Sequence, residues 1–83
     1  MYKISISKKS IDFLNSLSDK DYLKIRKIIK NLKSVPRPDN CKKLRGLNSY
    51  RVRYRDIRVL YIIDDFDKTI EIYKISHRKD AYK

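Results

Sequence analysis

The stretch "RVRYRDIRVLY" limits the fold more than any other part of the sequence. Apolar and basic residues alternate on both sides of Arg55-Asp56, as they would in two strands joined by a two-residue turn. Pairing across that turn sets Tyr54 against Ile57, Val52 against Val59 and Tyr50 against Tyr61. Every pair on this face is apolar, and a slip of one position would mix the two faces, so the pattern selects its own register. On the other face the same register opposes Arg53 to Arg58 and Arg51 to Leu60. Like charges directly opposite each other are unfavourable, by a fraction of the ~0.2–1 kcal/mol typical of cross-strand pairs. Arginines over an apolar floor of Leu60 and Ile62 suit a bound anion better than bulk water. The planar guanidinium donates two hydrogen bonds to a phosphate at once.

The rest of the chain supplies what such a hairpin needs as cover. "YKISI" (Tyr2–Ile6) alternates as a first strand. Ile11, Leu14 and Leu17 form one stripe of a short helix, with Phe13 beside it. "SDKDYLKIRKIIKNLKS" is a second helix, capped by Ser18, with Asp19 and Asp21 at its positive end. Its apolar stripe is Tyr22, Ile25, Ile28, Ile29 and Leu32, while most of its lysines lie elsewhere. "VPRPDN" stops it, because the residue before a proline disfavours helix. "CKKLRGLNSY" reads as a loop, and three strands follow over Tyr50–Tyr54, Ile57–Asp64 and Thr69–His77. The expected fold is α+β: a four-stranded, mostly antiparallel sheet with two helices on one face, in the order β-α-α-β-β-β. At 83 residues the chain is read as a single domain, 1–83.

A formal net charge of +12 makes polyanions the natural partners: nucleic acid, an acidic membrane or an acidic protein. No apolar run is long enough to span a bilayer, and "MYKISISKKS" lacks the apolar core of a signal peptide. Cys41 is the one cysteine, so no intramolecular disulfide can form and a reducing cytoplasm is expected. No His/Cys cluster at metal-ligand spacing, Gly-rich phosphate loop or serine-triad signature occurs, so neither metal nor cofactor is expected. "DDFDK" reads as a hairpin loop.

"KKLRGLNSYRVRYRDIRVLYIIDD" followed by "IEIYKISHRKDAYK" resembles the RelE branch of the RelE/ParE toxin superfamily, over nearly the whole chain. The resemblance implies a toxin of a type II toxin–antitoxin pair. It would be a metal-independent endoribonuclease that enters the ribosomal A site, contacts ribosomal RNA and cuts the message by attack of a ribose 2′-OH on the adjacent phosphate. A cognate antitoxin would block it. Arg51 and Arg53 match the basic positions of the first hairpin strand, Arg58 the arginine of the second, Arg78 the basic residue after the last strand, and Tyr82 the C-terminal tyrosine. By resemblance Arg58 would stabilise the transition state, Arg78 the leaving oxygen, and Tyr82 would stack on a base.

Two departures from the family pattern matter. Some well-known members of the branch have lysines where this chain has Arg51 and Arg53, and arginine is a poor general base. His77 is the one histidine, the side-chain type suited to proton transfer, and is therefore the candidate to take the 2′-OH proton, against the plainer reading of a space-filling histidine. Arg55 stands where relatives commonly have glycine, either as a strained turn residue or as one more RNA-facing charge. Lys42, Lys43 and Arg45 precede the hairpin as a solvated loop or as contacts to RNA backbone. Two other functions stay open at this point: a ParE-like toxin acting on DNA gyrase without cutting RNA, and a non-catalytic nucleic-acid-binding module.

Overall fold

The computed structural model describes residues 1–46 and 48–78. Its elements run β1 (Lys3–Ile6), α1 (Lys8–Asn15), α2 (Asp19–Leu32), β2 (Lys42–Lys43), β3 (Ser49–Tyr54), β4 (Ile57–Asp64) and β5 (Thr69–His77). The α+β class is as expected, but among the described residues the sheet has five strands and not four. The additional strand, β2, is two lysines long. It is too short to show alternation, so periodicity left it inside a loop. Strand order is β1-β5-β4-β3-β2, with β1 parallel to β5 and every other pair antiparallel.

Both helices start on a serine cap. The Ser7 Oγ accepts from the amide of Ser10 and the Ser18 Oγ from that of Asp21, at 3.2 and 3.3 Å. Each cap satisfies an amide that the first helical turn cannot, at about 1 kcal/mol. Leu14 of α1 and Ile25, Ile29 and Leu32 of α2 then pack on Tyr50, Val52, Ile57, Val59, Tyr61, Ile63, Ile70 and Ile72 from one face of the sheet. Burial of side chains of this size stabilises by roughly 1.5–3 kcal/mol each. Leu60, only 4% exposed, is absent from this cluster because it projects from the other face.

The β3–β4 register is the one the hairpin pattern dictates, including Arg53 opposite Arg58 and Arg51 opposite Leu60. The β4–β5 ladder breaks its phase once. Leu60 faces Lys74 and Tyr61 faces Ile72, so Tyr73 is an extra, bulged residue. Ile70 and Ile72 point at the helices before the bulge, and Ile75 does so after it. Lys74 consequently leaves the parity it would share with Ile70 and Ile72 and moves to the open face.

A polar clamp fastens the α2–β2 connection to the far end of the sheet. Arg37 donates from Nη1 and Nη2 to the two oxygens of Asp65, at 3.2 and 2.8 Å, and from Nε to the Tyr50 hydroxyl at 2.9 Å. The Tyr2 hydroxyl donates to Asp65 at 2.6 Å, and that of Tyr61 to the Pro36 carbonyl at 2.9 Å. The Arg37 and Tyr2 hydrogen bonds push the Asp65 carboxyl down to about 2, and the hydrogen bonds to Asp65 and then Tyr50 raise the Arg37 guanidinium further. Burial, then its neighbour Cys41, raises the Tyr61 phenol.

Candidate nucleic-acid interface

Opposite the helices, the open face of the sheet is organised in rows set by strand register. One row is Arg53, Arg58 and Ser76. The next is Lys42, Arg51, Leu60 and Lys74, crossing four strands. At the ~4.8 Å strand spacing this second row is about 14 Å wide. Five cationic side chains thus emerge from two adjacent rows at the β3–β4 turn end of the sheet. Farther along, Ser49, Ile62 and Glu71 form the third row, followed by Asp64 and Thr69. The face therefore grades from strongly positive to acidic along the strands.

Arg58 occupies the centre of this arrangement. It is 4% exposed, with Arg53 exposed on one side and Ser76, 8% exposed, on the other. Few arginines in proteins are so deeply buried. Burial between the flanking strands restricts the side chain before any ligand arrives.

Tyr73 adds an aromatic element to the open face. Its hydroxyl lies 2.8 Å from Ser49 Oγ on β3. To reach that strand from β5 the side chain must cross β4 on the open face, between the levels of Leu60 and Ile62. Lys74 was not anticipated at all. The signal for both is the three-residue gap between Ile72 and Ile75, which breaks a strict period of two.

The other expected site residues divide. The Arg78 amide donates to the carbonyl of Asp56 in the β3–β4 turn, which brings its backbone to the end of the sheet where Arg53 and Arg58 stand. Lys43 pairs with Tyr50 and so belongs to the helix-side parity, unlike Lys42. Arg45 is exposed in the connection after β2. Arg55 takes a φ of +56°, and its positive φ at the first turn position alone is the type II′ pattern. Its guanidinium turns toward the helices, with Nη1 3.9 Å from Asp21 and the group over the Tyr54 ring at 5.8 Å. It does not join the cationic rows.

His77 is likewise on the helix side. It pairs with Ile57, meets the Phe13 ring edge-on at 5.2 Å and places Nδ1 3.2 Å from Asp56 Oδ2. Tyr82 lies outside the described residues.

Comparison with known proteins places this geometry. The family model of the ParE toxin of type II toxin–antitoxin systems matches residues 5–82. A curated relative from Methanocaldococcus jannaschii, named for the toxin RelE1, is 35% identical over 99% of this chain and 96% of its own length. The archaeal RelE in the crystal structure of the RelE–RelB complex of Pyrococcus horikoshii superposes with a TM-score of 0.86. It is 31% identical, covering 96% of this chain and 98% of that one. The isolated RelE toxin of E. coli gives a TM-score of 0.81 over 99% of this chain and 89% of its own, at 16% identity, which speaks to fold alone. The chain belongs to the RelE/ParE superfamily of toxins from type II toxin–antitoxin systems.

Proposed function

We propose that this toxin is a metal-independent endoribonuclease that cuts messenger RNA in the ribosomal A site. The observation that carries the reading is the buried Arg58 flanked by Arg53, within two rows of cations on a face that, among the described residues, no helix covers. Cleavage by a 2′-OH on its neighbouring phosphate builds negative charge on the phosphorus oxygens, and preorganised cationic donors act most strongly where charge develops. Arg58 and Arg53 hold the scissile phosphate. Arg51, Lys42 and Lys74 hold the neighbouring backbone, and Arg45 extends the basic track. Arg78, brought to the same end of the sheet, supports the leaving 5′ oxygen, and Tyr82 stacks on a base at the cut, at about 1–3 kcal/mol. The products are a cyclic phosphate and a free 5′-OH.

His77 takes no part in this scheme, since the sheet lies between its ring and the arginines. Guanidinium groups do not release protons, which leaves Lys42 and Lys74, among the described residues, as the amines on the reacting face. The reaction takes place on ribosomes in the cytoplasm, and a cognate antitoxin holds it in check.

A ParE-like action on DNA gyrase is the second reading, because the matching family model bears the ParE name and one scaffold can host several activities. Translation of a defined message by purified ribosomes with the protein, followed by primer extension, separates the two. Breaks in phase with codons are expected. Intact message together with trapped gyrase–DNA cleavage complexes overturns the nuclease reading.

A further inference from the structure

Among the described residues, Tyr73 is the one aromatic ring on the cationic face of the sheet. The other rings sit in the helix-side core or border it, apart from Phe66, which is 95% exposed in the β4–β5 connection. The bulge puts it there, because it makes Tyr73 and Lys74 consecutive residues of the same face. The backbone of Tyr73 belongs to β5, while its hydroxyl shares a hydrogen bond with Ser49 Oγ on β3 at 2.8 Å. Held at both ends, the ring lies along the sheet across β4. It forms part of the cover over Leu60, yet Tyr73 itself is only half-buried. One side of the ring rests on β4 and the other is open.

A cover for Leu60 needs only area. A tether that fixes the plane of the ring adds what stacking requires. Strand geometry gives the position. Rows two residues apart are separated by ~6.6 Å, so the ring lies about 3 Å past the row of Lys42, Arg51 and Lys74 and about 10 Å from Arg53 and Arg58. Beyond it stand Glu71 and Asp64, both exposed, which repel phosphate. A sugar–phosphate backbone held by the two cationic rows therefore does not continue over the acidic end, and the group it turns toward Tyr73 is a base. We propose that Tyr73 is a stacking platform for one base of the message, beside the phosphate held by Lys42, Arg51 and Lys74. The proposal deepens the RNA reading of this face and rests on it. Every base has a π-face, so the ring adds grip and register to the cationic rows and no choice of sequence.

The probe is a short 2′-O-methyl oligoribonucleotide, which lacks the attacking 2′-OH, with 2-aminopurine placed at each position in turn. Stacking on a ring quenches the fluorescence of this base. At one position the parent is expected to quench it, and Tyr73→Leu to lose the quenching together with about fivefold or more in affinity. Tyr73→Phe keeps the ring and should keep the quenching. Phe66→Leu, at the far end of the molecule, should behave as the parent does. An abasic residue at the quenched position separates stacking from a merely structural role. It should weaken the parent by about the same factor and the Tyr73→Leu protein no further, because one interaction is lost only once. Losses that multiply, quenching that survives Tyr73→Leu, or a parent that quenches at no position overturns the proposal. Circular dichroism checks the fold, and Tyr73→Met replaces Tyr73→Leu in the cycle if that variant is unfolded. A parent that cuts message in phase with codons but shows no coupling to Tyr73 keeps the nuclease reading and ends this one. A parent that cuts no message but shows the coupling ends the nuclease reading, and the stacking site stands.

Discussion

His77 stands opposite Ile57 in the β4–β5 ladder and therefore faces the helices, although Ser76 beside it faces the arginines. The bulge at Tyr73 decides this. Alternation counted from Glu71 without an extra residue would carry His77 to the arginine side. With the bulge, Ile75 and His77 share the core-facing parity, and Phe13 closes over the imidazole. Removal of a true general base costs about 10²–10⁴-fold. His77→Gln is expected to cleave ribosome-bound message within about threefold of the parent, well short of that range. Its cost falls on stability instead, since the Phe13 ring contact is worth about 1 kcal/mol. That corresponds to a melting point lower by roughly 4–8 °C in a domain of this size. Single-turnover cleavage and thermal melts of the same preparation check both halves.

Arg53 and Arg58 face each other at the cost of mutual repulsion, which gives the cationic site a thermodynamic signature. Arg53→Thr removes the like-charge pair and adds a residue that favours strands, so it should stabilise the fold by roughly 0.2–1 kcal/mol. Its cleavage rate should fall. Arg58→Ala should cut the rate by about 10²–10³-fold, the usual loss when a preorganised transition-state donor is deleted. A protein that becomes more stable and less active has given up a strained functional pair. Urea midpoints beside single-turnover rates test this, and an Arg53→Thr protein less stable than the parent would contradict it.

The hairpin register was legible because both strands carry their apolar residues on one parity and the two-residue turn left no freedom to slide. The second helix was legible from its serine cap, acidic first turn and apolar stripe. The misreadings had definite physical causes. β2 is two lysines whose pairing depends on tertiary context. Tyr73 is a bulge hidden within "IEIYKISH", where one inserted residue reverses the face of everything after it. Arg55 presents the same charge as its neighbours, yet its positive φ aims it at Asp21 in α2. Composition counts such an arginine with the others, and only backbone geometry separates them.

Lys74 tests the bulge directly. Its place beside Leu60 puts it in the row of Arg51 and Lys42, so it should neutralise RNA phosphate. Each phosphate contact on a single strand contributes about 0.7 to the slope of log affinity against log salt. Lys74→Met is therefore expected to reduce that slope by about 0.7 for a non-cleavable oligoribonucleotide, and Lys74→Arg to restore it. Lys43→Met, on the other parity, should leave the slope nearly unchanged. Equal effects of the Lys74→Met and Lys43→Met substitutions would mean that RNA does not read the faces of the sheet as the register defines them.

Asp65 gives the fold a pH dependence of known sign. Its carboxyl is held at about 2 by hydrogen bonds from Arg37 and Tyr2, against an ordinary value of 3.8. Folding lowers this pKa, so between those values the unfolded chain binds more protons and stability rises with pH. The clamp's contribution is complete above about pH 5 and is lost as the pH falls from about 4 toward 2. Asp65→Asn removes the titrating group. The difference in urea midpoint between parent and Asp65→Asn should stay constant from pH 7 to about 5 and close as the carboxylate is protonated, because the other carboxylates titrate in both proteins and cancel. Molar salt should shrink the same difference at neutral pH, since an exposed pair is screened within a few ångströms. A gap that persists unchanged down to pH 2 would show that the Arg37–Asp65 pair contributes nothing to holding the α2–β2 connection against the sheet.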